Sequence, residues 1–214
     1  MPRVTDKVPV PFVHALVAVL ALGGVAIELV LAVTAGPESG LAGRLARGAS
    51  YFTIQSNILV GGVSALLALR PSRGGPVFRV LRLDAVVCVA VTGILYHTGV
   101  GSMPHPSFAS VVSDLLLHTV TPVATVLAWF VAGPRIRLSW AAVAWSLVPP
   151  LAYAAYVVGN GALNAWYPYP FFDPAWHGYR AVLGNVGLAS LLFIALGALV
   201  RQLEGLLGPR PTNA

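Results

Sequence analysis

Charge is scarce in this sequence. Acidic and basic residues make up 9% of it, with a single lysine among them, and a chain of 214 residues with so little charge cannot clothe a soluble domain in polar surface. Cysteine is scarcer still. Cys88 stands alone, which excludes an intrachain disulfide and a cysteine-based metal site and leaves it a packing residue. No internal repeat is visible either, so the pseudo-symmetry on which many secondary transporters are built is missing.

Apolar residues fill the space, at 57% of the chain with a mean hydropathy of +0.80. Six windows reach the roughly 20 residues needed to cross hydrocarbon: 10–34, 50–69, 81–100, 108–132, 138–158 and 180–200. The expectation is one all-α domain over residues 1–214, a polytopic bundle of six transmembrane helices. Its N-terminal apolar run is too long for a signal-peptide core and carries Glu28, so it reads as an uncleaved first helix. The net charge of +6 sorts by loop. Ten of the thirteen basic residues (Arg3, Lys7, Arg70, Arg73, Arg79, Arg82, Arg135, Arg137, Arg201 and Arg210) fall on one side, and Arg44, Arg47 and Arg180 on the other. Positive-inside bias then places both termini in the cytoplasm. Topology explains these residues better than nucleic-acid binding does. The Gly-rich stretch 35–49 reads as a flexible connector, 70–82 as a cytoplasmic turn, and Pro149-Pro150 as a kink in the fifth span.

Against this background the polar residues inside the spans stand out. Ser113-Asp114-Leu-Leu-Leu-His118-Thr119-Val-Thr121-Pro122 lies within the fourth window. An ionisable group at bilayer depth costs about 2.5–3.5 kcal/mol on insertion scales, so it marks a functional site by default. Asp114 and His118 are four apart and share a helical face. Pro122 cannot donate to the carbonyl of His118, which is left free. Thr53, Ser56 and Asn57 share a face at the opening of the second span. Glu28, near the outer end of span one, faces either the bundle interior or the outer headgroups. His14, His97 and the loop residue His105 read as interfacial or exposed, with His97 kept as a possible site residue. Loop 159–179 holds seven of the twenty aromatics, and its alternate prolines imply an extended lid carrying Trp166, Tyr167, Tyr169, Phe171 and Asp173 over the outer mouth.

Glu28, Thr53, Asn57, His97, Asp114, His118, Asp173 and Asn185 all map to the outer half of the bundle, and the inner half reads as nearly bare. One outward-facing cavity follows. With about 1.5 Å of rise per residue, a contact between Thr53 and His118 is geometrically allowed. A hydroxyl and an imidazole in such a cavity suggest covalent catalysis: Thr53 as nucleophile, His118 as general base, Asp114 or a freed carbonyl as orienter, and Asn57 or backbone N–H groups for the oxyanion.

Tyr51-Phe52-Thr53, the segment Asp114 to Pro122, and Tyr167-Pro-Tyr-Pro-Phe-Phe-Asp173 together resemble the androgen-induced-gene family of transmembrane hydrolases. Its members are six-span threonine hydrolases that cleave fatty acid esters of hydroxy fatty acids, using one essential Thr and one essential His. The resemblance implies these roles for Thr53 and His118. It runs through the order of all six spans. Eukaryotic members carry a second His just before the matching one, where this chain has leucines, and an amide where Asp114 stands. The longer Tyr-Pro-Tyr-Pro-Phe form is similar to the bacterial branch, and the wealth of Ala, Gly, Val and Arg fits a GC-rich bacterial genome.

The expectation is a multi-pass protein of the bacterial plasma membrane that hydrolyses a membrane lipid or fatty-acyl ester without a cofactor. Two alternatives stand beside it. One is a metal-dependent hydrolase with zinc among His97, His118 and Asp114 or Glu28. The other is a lipid-binding or transport protein without catalysis.

Overall fold

A computed structural model describes residues 9–36, 40–100, 107–134 and 137–208. The expectations for Arg3, Lys7, His105, Arg135 and Arg210 lie outside them. Among the described residues the chain is all-helical, with no strand. Five of its helices are long and apolar enough to cross a membrane: Val10–Thr34, Phe52–Leu69, Phe108–Ala132, Trp140–Asn164 and Gly178–Leu207. They keep large apolar side chains on the outside, among them Phe12, Val19, Leu29, Leu163 and Leu188. Such faces suit lipid rather than water.

Helix α1 (Val10–Thr34) opens on Pro9 and Pro11, where a missing N–H costs nothing. The stretch expected to be a flexible connector instead contains a helix, α2 (Leu41–Ala49). Its Arg44 donates from Nε to the carbonyl of Ala32 at 2.7 Å and from Nη1 to that of Gly36 at 2.9 Å. A cation therefore sits on the orphan carbonyls at the end of α1, where the helix dipole favours it. Glycine content had argued for a loop, and this cap outweighs it.

Helix α3 (Phe52–Leu69) packs along α1, with Gly61 against the Leu22 side chain. Helix α4 (Pro76–Leu95) starts five residues before the expected window and continues into a π turn, Tyr96–Val100. Arg79, Arg82 and Asp84 keep it out of the set of five apolar helices. It is nevertheless the most enclosed element, with twelve buried residues. One core cluster joins it to α1 and α3 through Val17, Val60 and Val89. A second joins it to the later helices through Val87, Trp129, Val143 and Phe193.

The window 108–132 is one apolar run built in three pieces. Helix α5 (Phe108–Leu115) begins with a Ser107/Ser110 capping box. A π turn follows at Leu116–Val120, and α6 (Thr121–Ala132) completes the run. The fifth window divides at Ser146-Leu147 into α7 (Trp140–Trp145) and α8 (Val148–Asn164), with Pro149 and Pro150 in the first turn of α8, where they are tolerated. Helix α9 (Pro174–Leu207) is broken at Gly178, whose φ of 74° suits glycine.

The inner half is not bare. At the end of the bundle where α1 begins, Arg82 and Glu204 form a buried ion pair, and Trp129 Nε1 donates to Glu204 at 3.0 Å. His14, expected at the interface, is buried and lines a cavity of about 20 Å³ with Ser64, Arg82 and Thr125. Glu204 lay beyond the last expected span, and Arg82 counted there as a topology residue. Their meeting across 122 positions was invisible.

Candidate functional site

At the opposite end, Thr53 is the second residue of α3 and His118 the middle of the π turn. The turn has a covalent cause. Pro122 offers no N–H to His118, and the N–H of Thr121 reaches back five residues to the carbonyl of Leu116. That wider loop is the π geometry. Helix α4 comes close to it: a Cβ on Gly93 would stand 3.2 Å from the His118 carbonyl and 3.1 Å from Pro122. Only glycine lets the two backbones approach this far.

Thr53 Oγ1 lies 3.2 Å from His118 Nε2. On the other side of the ring, Nδ1 is 2.9 Å from Asp114 Oδ1 and 3.2 Å from the Asp114 main-chain carbonyl. Hydroxyl, imidazole and carboxylate thus form one chain of contacts. Tyr96 completes it. Its hydroxyl donates to Asp114 Oδ2, and its ring stacks on His118 with centroids 4.2 Å apart and planes 15° apart. Sequence reasoning had singled out His97 and passed over Tyr96 beside it. The signal available was a phenol one step from that histidine at the end of an apolar helix.

Chain 165–173 covers this group from outside. Tyr169 stacks on Phe171 at 5.2 Å and meets Tyr51 edge-on. Its hydroxyl is 3.5 Å from Thr53 Oγ1. Burial pushes the Tyr169 phenol up, opposed by the Thr53 hydroxyl and by the backbone N–H groups of Thr53 and Phe52. Those N–H groups belong to the first turn of α3, where a helix has donors without intrahelical partners.

A cavity of about 930 Å³ opens onto the chain of contacts. Thr53, His118, Asp114, Tyr96, Glu28 and Tyr169 line it among many apolar side chains. Glu28 accepts a hydrogen bond from Ser113, which settles its direction: it faces the bundle and the cavity. The chain matches no protein-family model, no curated protein and no solved structure.

Other expected site residues are placed elsewhere. Asn57 is fully buried behind Thr53 and donates from Nδ2 to the carbonyls of Thr53 at 2.8 Å and Leu117 at 3.3 Å. It ties α3 to the π turn and does not line the cavity. His97 is exposed and sits 3.1 Å from the Thr119 hydroxyl. Asn185 holds the lid, donating to the Phe171 carbonyl at 2.9 Å. Asp173 caps α9 through Ala175 N–H at 2.8 Å. Trp166 meets Tyr51 edge-on with Arg47 over its ring, and Tyr167 packs on Gly161, so both brace the lid from the rim. Tyr169 and Phe171 line the cavity, together with Pro168, Pro170 and Phe172. Among the described residues no three His, Cys, Asp or Glu side chains gather to hold a metal ion, so the zinc alternative lacks its ligand set.

Proposed function

We propose that the protein is a six-span membrane ester hydrolase with both termini in the cytoplasm, acting on a lipid or fatty-acyl ester through Thr53 and His118. The observation that carries this reading is the Thr53–His118–Asp114 chain of contacts at the wall of a large apolar cavity. Helix α4 supplies the sixth span. Its length suffices, and the buried pairing of Arg82 with Glu204 meets the cost of charge at that depth.

An acyl chain lies among the apolar side chains with its ester carbonyl at Thr53. His118 Nε2 takes the hydroxyl proton as Thr53 Oγ1 bonds to the carbonyl carbon. The carbonyl oxygen, now negative, faces the N–H groups at the start of α3 and the Tyr169 hydroxyl. Collapse breaks the bond to the alkoxy oxygen, which leaves as the alcohol with the proton held by His118. Water then attacks the acyl-threonine with His118 again as base, releasing the fatty acid. Asp114 and Tyr96 orient the ring and stabilise its charged form. The resemblance to threonine hydrolases supports the same two residues independently of the geometry.

The test is labelling by a fluorophosphonate probe. Wild type should label, and Thr53→Ala and His118→Ala should not, at equal amounts of folded protein. Labelling that persists in Thr53→Ala refutes the nucleophile. A cavity this apolar also suits a lipid carrier, and saturable binding of a fatty-acyl ester with no turnover and no labelling would favour that reading.

A further inference from the structure

Two of the side chains that line the cavity also face outward. Leu29 on α1 is 53% exposed and Ile58 on α3 is 50% exposed, yet both border the space at Thr53. They stand on facing stripes of the two helices: Leu22, Val25 and Leu29 on α1, and Ile54, Ile58 and Gly61 on α3. At its deep end the seam is shut, because the Leu22 side chain lies over Gly61, where a Cβ would stand 2.5 Å from it. Toward the Thr53 end, Val25, Leu29, Ile54 and Ile58 all line the cavity. Helix α2 makes the roof with Leu45, Gly48 and Ala49, and Arg44 pins it to the end of α1. Glu28 turns to Ser113 on α5 and takes no part in the seam. The opening is framed by apolar side chains and glycine.

Leu29 lies five residues before the end of α1 and Ile58 six after the start of α3. At 1.5 Å per residue that is about 7–9 Å along the helix axes. The opening therefore sits below the headgroup layer, beside hydrocarbon. Water gains no hydrogen bond from such a frame, whereas a methylene passing through it leaves one apolar surrounding for another. We infer that the seam between α1 and α3, under α2, is the doorway by which the hydrocarbon chain of a membrane lipid ester reaches Thr53 from within the bilayer. This rests on the hydrolase reading above for what happens at Thr53, and it adds where the ester comes from. The substrate is a lipid already dissolved in the membrane, and Leu29 and Ile58 set what passes. At the outer rim, Thr34 and Ser107 are exposed and also line the cavity, which leaves small solutes a separate way in from water.

A reversible bar across the seam tests this. Leu29→Cys and Ile58→Cys together place two exposed thiols on it, while the native Cys88 is buried. A short bis-thiosulfonate joins the pair, and dithiothreitol releases it. The protein is reconstituted in phosphatidylcholine vesicles and given para-nitrophenyl palmitate dissolved in the bilayer, or para-nitrophenyl acetate added in the water. Bridging should lower the ratio of kcat/KM on palmitate to that on acetate by at least tenfold, and reductant should restore it. Ile58→Trp, which fills the opening with a ring, should lower the same ratio should the bridge not form. An unchanged ratio, or equal losses on both esters, would overturn the doorway and leave the hydrolase reading standing. If wild type cleaves neither ester, the hydrolase reading fails, and a fatty-acyl ester with a photoreactive diazirine at its chain end decides the doorway in the same vesicles. Adducts on Tyr169 or Phe171, inside the cavity, that bridging or Ile58→Trp abolishes would uphold it. Adducts there that persist, or none in wild type, would overturn it.

Discussion

Replacing Asp114 by Asn tests the chain of contacts at its far end without altering its size. The carboxylate Oδ1 lies 2.9 Å from His118 Nδ1, and Oδ2 accepts from the Tyr96 hydroxyl. The substitution removes the negative charge that balances the imidazolium formed as Thr53 loses its proton. A hydrogen bond to a charged group is worth about 1.5–3 kcal/mol, which as a barrier change is roughly 10- to 150-fold in kcat. The upper part of that range is not reached, because the Asp114 main-chain carbonyl stays 3.2 Å from Nδ1 and still holds the ring. An expected loss of about 10- to 50-fold in kcat with little change in KM follows. The assay is hydrolysis of a fluorogenic acyl ester by purified protein in micelles, with thermal unfolding measured beside it. A double-mutant cycle with Tyr96→Phe sharpens it: if Tyr96 acts through the carboxylate, its removal should matter less in the Asn background. The reasoning is refuted if Asp114→Asn keeps kcat within threefold of wild type at an unchanged melting temperature.

The other predictions concern the supports of the site. Tyr96→Phe keeps the ring on His118 and deletes one hydrogen bond to Asp114, so kcat should fall about fivefold, the equivalent of about 1 kcal/mol, with KM unchanged. Gly93→Ala gains helix propensity, but its methyl presses on the Pro122 ring and the His118 carbonyl, neither of which can yield. A net loss of about 1–2 kcal/mol should show in thermal unfolding, together with lower activity. Arg82→Ala leaves Glu204 buried without its cation and should cost about 3–5 kcal/mol, whereas replacing both by apolar residues of similar size should recover most of it. Arg44→Ala should uncap α1 and raise hydrogen exchange of α2 while leaving the amides of α6 unchanged.

The helices were legible because hydropathy reports them directly. Residues 10–34 and 108–132 were bounded from hydropathy as the structure has them, and the structure adds proline at the start of one and a serine capping box at the start of the other. Local chemistry also acts at Pro122, which has no N–H for the His118 carbonyl and follows directly on the π turn. What escaped were contacts set by distant partners. Helix α2 exists because Arg44 finds carbonyls twelve and eight residues back. Tyr96 matters because two π turns lie side by side, and no pattern within either helix announces that. Asn57 had the right face and the right depth, yet its amide is spent on two carbonyls, so it positions Thr53 and leaves the cavity to others.

The two ends of the bundle show what separates a site from a structural pair. Both hold histidine, carboxylate and hydroxyl groups on facing helices. At one end, His14, Ser64, Arg82 and Thr125 border a space of about 20 Å³, enough for one water molecule, and Glu204 pairs with Arg82. At the other, Thr53, His118 and Asp114 border about 930 Å³ of mostly apolar space, the size of pockets that enclose whole ligands. Residue types are nearly equivalent between them, yet only the outer group was read from the sequence as a candidate site. Room is the difference. The aromatic lid covers that room and the π turn borders it. Closing that room should therefore abolish activity with every reactive atom still present. Ala189, a half-buried residue of α9 that lines the cavity, is a position where added bulk tests this without touching the chain from Thr53 to Tyr96.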